Sequence, residues 1–190
     1  MEHVDLGVCS GRLHPGDPGR LLVLLPGAWY PTAGPLLWFA RAAALRRGWT
    51  ALEVWDELRE GQDWAAWGGE RAEAALAFAG DGARVFFVAK SLSSTAAPVA
   101  AECGIPSVWL TPLLDEDVVV EGLGRATAPS LLIGGTADPH WDRAAAPAGV
   151  EVLELEDADH SLELPGNLDG SLFFLQNVTN RIDRFLAEAA

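Results

Sequence analysis

The 190-residue chain carries 27 acidic against 13 basic residues, a formal net charge of −14. Phosphate backbones and anionic lipid surfaces are bound by clustered Lys and Arg, so neither nucleic acid nor a membrane surface is an expected partner. Apolar residues make up 49% of the chain, yet no run approaches the roughly 20 that a membrane-spanning helix needs. The two cysteines, Cys9 and Cys103, fall in no CxxC or Cys/His cluster, which argues against a disulfide framework or a structural zinc site. Cys103 follows an apolar helical stretch and reads as a small buried hydrophobe. The first residues show no basic region followed by an apolar run, so a cytoplasmic location is expected. No linker or internal repeat divides the chain, and residues 1–190 read as one domain.

In chain order, residues 1–20, with Pro15, Gly16, Pro18 and Gly19, read as an irregular lead-in or an edge hairpin. Residues 21–25 are a continuous apolar run stopped by Pro26-Gly27, the pattern of a strand buried on both faces. Residues 35–47 have helical spacing and stop at Gly48. A strand is expected at 49–55, a helix at 62–79 closed by Gly80, and a third strong strand at 85–89. Residues 92–102 read as a helix in which Pro98 costs a backbone hydrogen bond and bends the axis. Strands at 107–110, 131–133 and 150–155 follow, then a last helix from about residue 170. Between 110 and 130 there is room for a loop and one short helix. Strands alternating with helices predict an α/β fold: a mostly parallel central sheet with helices on both faces. Ligands in such sheets bind at the carboxyl ends of the strands.

Three polar residues stand just beyond predicted strands. Ser91 follows the 85–89 strand in Ala89-Lys90-Ser91-Leu92-Ser93. A serine on a sharp strand-to-helix turn needs small residues two positions to either side, and Ala89 and Ser93 stand where the usual elbow has glycines. The alternative is a serine capping the next helix. Asp138 follows Gly134-Gly135-Thr136-Ala137 and precedes Pro139, as either a carboxylate at the sheet edge or a turn aspartate. His160 follows the 150–155 strand, with Asp157 and Asp159 as rival partners to Asp138. Asp138 is preferred, because a neighbour in sequence rarely reaches the imidazole nitrogen that faces away from the serine.

With the order Ser91, Asp138, His160, the chain resembles the α/β-hydrolase family from Leu21 onward, in particular small capless members of the dienelactone-hydrolase-like group. The resemblance implies a catalytic triad of these three residues. It also implies an oxyanion hole made by the backbone N–H groups of Leu92 and Ala28, no cofactor and no metal. The implied substrate is a small-molecule ester, thioester or lactone held in an open, shallow site. A non-catalytic binding protein on the same fold and an acyltransferase using the same triad stay open. Trp29 and Tyr30, beside the oxyanion turn, are candidate substrate contacts. Lys90, the chain's single lysine, is a candidate for meeting an anionic substrate group at the site mouth. Of the eight tryptophans, Trp55, Trp64, Trp67 and Trp141 are expected near the catalytic edge, and Trp38, Trp49 and Trp109 in the core. Two further motifs are set aside. The Gly122-Leu123-Gly124 stretch lacks the rest of a dinucleotide fingerprint, and His140 with Asp138 and Asp142 makes a poor metal site beside Pro139.

Overall fold

Side chains alternate across a strand, so a strand apolar at every position must be covered on both faces. The computed structural model, which describes residues 1–188, resolves that demand with a sheet sandwiched between two helical layers. Its elements are β1 (Glu2–Asp5), β2 (Ser10–His14), β3 (Asp17–Leu25), α1 (Pro35–Arg46), β4 (Trp49–Trp55), α2 (Trp64–Ala79) and β5 (Arg84–Lys90). A short 3-10 helix (Ser91–Ala96) and α3 (Ala97–Cys103) follow, then β6 (Ser107–Leu110), α4 (Asp117–Arg125), β7 (Ser130–Gly135), β8 (Glu151–Leu155) and α5 (Leu168–Glu188). The strand order is β1-β2-β4-β3-β5-β6-β7-β8. The first two strands form the antiparallel edge hairpin, and β3 to β8 run parallel.

Odd and even residues of the central strands go to opposite cores. Leu22, Leu24, Phe86, Val88, Val108, Leu110, Leu131 and Ile133 pack under α1 and α5. Leu21, Val23, Leu25, Val85, Phe87, Ala89, Trp109 and Leu132 pack under α2, α3 and α4. Fully burying one such Leu or Phe contributes about 1.5–3 kcal/mol. All the strands from β3 to β8 therefore end along one rim, which receives the loops after β3, β5, β7 and β8.

Three expectations are corrected, while the one short helix expected between 110 and 130 is present as α4. The segment 92–102 is not one bent helix: the 3-10 helix hands over to α3, and Pro98 sits in the first turn of α3, where its missing N–H had no acceptor to lose. Cys103 is exposed at the end of α3, because only seven residues follow the handover and the helix ends turned to solvent. Trp38 is 42% exposed, packed edge-on against Phe39 on the outer side of α1, whereas Trp49 and Trp109 are core. Residues 118–125 lie in α4, and Gly122 lets that helix close on α3: a Cβ there would stand 2.6 Å from the Pro98 nitrogen.

Candidate active site

The chain reverses direction directly after β5, and Ser91 takes the turn with φ +52°. A non-glycine residue in the left-handed region carries a cost of about 1–2 kcal/mol, which the surroundings must offset. They do so with hydroxyls. Ser93, fully buried, donates to the Pro26 carbonyl at 2.5 Å and fastens the elbow to the turn after β3. Ser94 accepts from the Leu113 amide, while Thr95 accepts from the Gly68 amide and donates to the Leu92 carbonyl. In the sequence Ser93 reads only as a small residue, and Ser94 and Thr95 carry no signal. Burial turns this polar run into anchors, and no local pattern signals burial there.

Ser91, His160 and Asp138 meet at the rim. His160 Nε2 lies 2.7 Å from Ser91 Oγ, and His160 Nδ1 lies 2.8 Å from Asp138 Oδ2. The second oxygen of Asp138 accepts from the His140 amide at 3.0 Å. Burial works to raise the Asp138 carboxyl. The hydrogen bonds from His160 and the His140 amide, with the nearby His160 and Lys90 charges, outweigh it and hold the group below the usual carboxylate range. The rivals are occupied elsewhere. Asp159 accepts from the Ser161 and Glu163 amides and so shapes the loop that carries His160, while Asp157 is exposed.

Two glycines at the end of β7 make this meeting sterically possible. Gly134 leaves room for the Trp141 ring, and a Cβ on Gly135 would run into the Ala158 carbonyl, two residues before His160. A Gly135→Ala variant is therefore expected to push the histidine loop outward, with a loss of about 1–3 kcal/mol of stability. Urea denaturation checks the stability, and the His160–Asp138 imidazole proton resonance reports the displaced loop.

After β3 the chain makes a tight turn in which the Gly27 amide donates to the Tyr30 carbonyl at 2.9 Å. A Cβ on Gly27 would lie 3.4 Å from the Ser91 Cβ, so the turn bearing Ala28 abuts the elbow. Leu92 is the second residue of the 3-10 helix, where amides lack an intrahelical acceptor. Trp29, 96% exposed, stands on the rim of a cavity of about 530 Å³ that Trp55, Asp56 and Arg59 also line. Tyr30 separates this cavity from a second one of about 500 Å³, walled by Leu36, Leu162, Leu164 and Leu175. The Tyr30 hydroxyl accepts from the Leu36 amide, and burial pushes the phenol up to about 12. Trp67 is fully buried instead of lining the rim, because it packs beneath the Arg71 guanidinium.

Lys90 requires the largest correction. It does not reach the mouth: the residue is 1% exposed, and Nζ donates to Thr111 Oγ1 at 2.5 Å and to the His160 carbonyl at 2.8 Å. Elbow geometry explains the inward aim, since Ser91 takes the outward position and its predecessor points back into the sheet. Burial pushes the Lys90 ammonium from 10.5 down to about 8, against the opposing pull of Asp138 and Asp159. The unfolded chain holds that proton more tightly, so stability rises with pH between about 8 and 10.5 and the penalty is fully present below 8. Relative to Lys90→Met, the protein is expected to gain stability from pH 7.5 to pH 10, which urea melts at the two values measure. Groups facing Lys90 from other elements are Asp138, Asp159, Tyr30 and Thr111.

His140 lies beside the rim, paired with Asp115 at 2.8 Å and edge-on to the His160 ring. Among the described residues no group of three or more His, Cys, Asp or Glu could hold a metal ion, and no helix is long and apolar enough to cross a membrane.

A mostly parallel eight-stranded sheet with this strand order, and a single short helix between β6 and β7, has the α/β-hydrolase fold without a cap domain. Solved structures with the same fold align along nearly the whole chain. Est1E from Butyrivibrio proteoclasticus, with ferulic acid bound, aligns over 100% of this chain and 99% of its own, at a TM-score of 0.76 and 13% identity. Dienelactone hydrolase from Anabaena variabilis aligns over 99% and 96%, at a TM-score of 0.74 and 17% identity. A serine hydrolase without a lid from Xanthomonas campestris aligns over 94% and 88%, at 0.71 and 12%. No family model and no curated protein sequence matches the chain.

Proposed function

We propose that the protein is a serine hydrolase that cleaves a carboxylic ester, thioester or lactone through an acyl-enzyme on Ser91. The observation that carries this reading is the unbroken hydrogen-bonded line from Asp138 through His160 to Ser91. A serine hydroxyl is a weak nucleophile until a base takes its proton. His160 Nε2 is placed to accept that proton as Ser91 Oγ attacks the carbonyl carbon, and later to return it to the leaving group. Asp138 fixes the tautomer with the proton on Nδ1 and stabilises the imidazolium. The Leu92 and Ala28 amides hold the oxyanion, a donor pair in which each bond is worth about 3 kcal/mol. Water then attacks the acyl-enzyme by the same proton path in reverse. Cavities of about 500 and 530 Å³ on either side of Tyr30 are within the size range of small-molecule sites, and the −14 charge favours an uncharged acyl substrate.

A fluorophosphonate probe tests the reading. Wild-type protein is expected to be labelled stoichiometrically, with the adduct on the peptide containing Ser91. Absence of labelling would favour a binding protein on a hydrolase fold, and labelling with acyl release to an alcohol in preference to water would indicate acyl transfer.

A further inference from the structure

In sheet order β8 stands three strands away from β5, a lateral separation of about 14 Å at the usual spacing. The loop after β8 must therefore cross the ends of β7 and β6 before His160 can meet Ser91. Such a span leaves the imidazole free to drift unless something ties the loop down at its far end. On the β7 side the loop is held where the Ala137 amide donates to the Ala158 carbonyl and the Asp157 amide to Thr136 Oγ1; the tie from the elbow to the His160 main chain is the Lys90 ammonium. It grows from the residue covalently joined to Ser91, and it donates to the main-chain carbonyl of His160 itself. Its other acceptor is Thr111 Oγ1, fully buried just past β6 at a residue with φ +44°.

Packing alone does not account for this group. Lys90 makes no direct ion pair among the described residues, and the pull of Asp138 and Asp159 does not offset the cost of burying its charge. A methionine of similar length would fill the same space without that cost. Resting on the acyl-hydrolase reading, we infer that Lys90 is a positioning residue: it clamps the His160 main chain and Thr111 to the elbow, and so sets the reach of the imidazole to Ser91. It touches no substrate and moves no proton.

Three readouts on Lys90→Met decide the matter. With p-nitrophenyl acetate, kcat is expected to fall about 10–100-fold, the scale of a misplacement near 1 Å, while KM stays within twofold. At neutral pH the melting temperature is expected to hold or rise. The downfield proton resonance of the His160 Nδ1–H bonded to Asp138 is expected to shift or broaden. If kcat stays within twofold and the resonance is unmoved, the clamp is refuted and Lys90 is packing. Should Lys90→Met fail to fold, Thr111→Val decides instead, since it keeps the cation and removes one anchor. A several-fold loss of kcat with a moved resonance supports the clamp, and an unaltered pair of readouts overturns it. In the double variant the two losses are expected to be non-additive. Failure of the functional reading is separable: it would appear as wild-type protein that neither labels with fluorophosphonate nor turns over ester, and the resonance readout decides on the clamp even then.

Discussion

Ser91→Ala is expected to abolish fluorophosphonate labelling and to lower ester turnover by about 10⁴–10⁶-fold, the range seen when a triad nucleophile is removed. The size of the effect follows from the chemistry. In the proposed mechanism no acyl-enzyme forms without Oγ, and what remains is the slow attack of water on a carbonyl held by the proposed oxyanion amides. The fold is expected to survive, because the hydroxyl hydrogen-bonds at the rim to His160 and anchors nothing else among the described residues, while Ala keeps the Cβ and hence the same strain at φ +52°. Circular dichroism and the melting temperature check that point. Persistent labelling of Ser91→Ala would mean that another hydroxyl, such as Ser161 in the histidine loop, is the nucleophile.

Asp138→Asn is expected to lower kcat by about 10⁴-fold with little change in KM. The asparagine amide N–H₂ would face His160 Nδ1 as a donor and force the ring proton onto Nε2. That tautomer points a proton at Ser91 and cannot accept one. A pH signature accompanies the loss. The Asp138 carboxyl is held below its ordinary value in the folded protein, so its contribution to stability is present above the unfolded value of 3.8. It is lost as pH falls through the lower, folded value. In Asp138→Asn that acid-side slope disappears. Denaturant melts between pH 2.5 and 5 on both proteins measure the difference.

Much of the architecture was legible in local pattern. The two-sided apolar runs at 21–25, 85–89 and 131–133 could be buried only between two layers, and the glycines and prolines after them marked where the chain leaves the sheet. The order Ser91, Asp138, His160, each past the end of a strand, was enough to nominate the site, because parallel strands place their carboxyl ends along one rim whatever the loops do. The turn Pro26 to Tyr30 was legible for the same reason.

Other features depended on contacts between segments distant in the chain. Which aspartate partners His160 is decided by how the histidine loop is tied: Asp159 spends its carboxylate on its own loop's amides, and Asp138 lies across a gap that Gly134 and Gly135 open. Lys90 read as a mouth residue, since nothing in Ala89-Lys90-Ser91 says which way a long side chain turns at an elbow. Its acceptors, Thr111 and the His160 carbonyl, are 21 and 70 residues away. The exposure of Trp38 and Cys103 is not legible locally, because composition tells how apolar a helix is but not which stripe meets a partner. Period and punctuation along the chain determined the layers, the strand ends and the chemical types at the rim. The 2.7–2.8 Å contacts among them, and the direction of every side chain that holds them there, were decided by tertiary packing, because hydrogen bonds that short are set by the relative placement of three separate loops and by no single one of them.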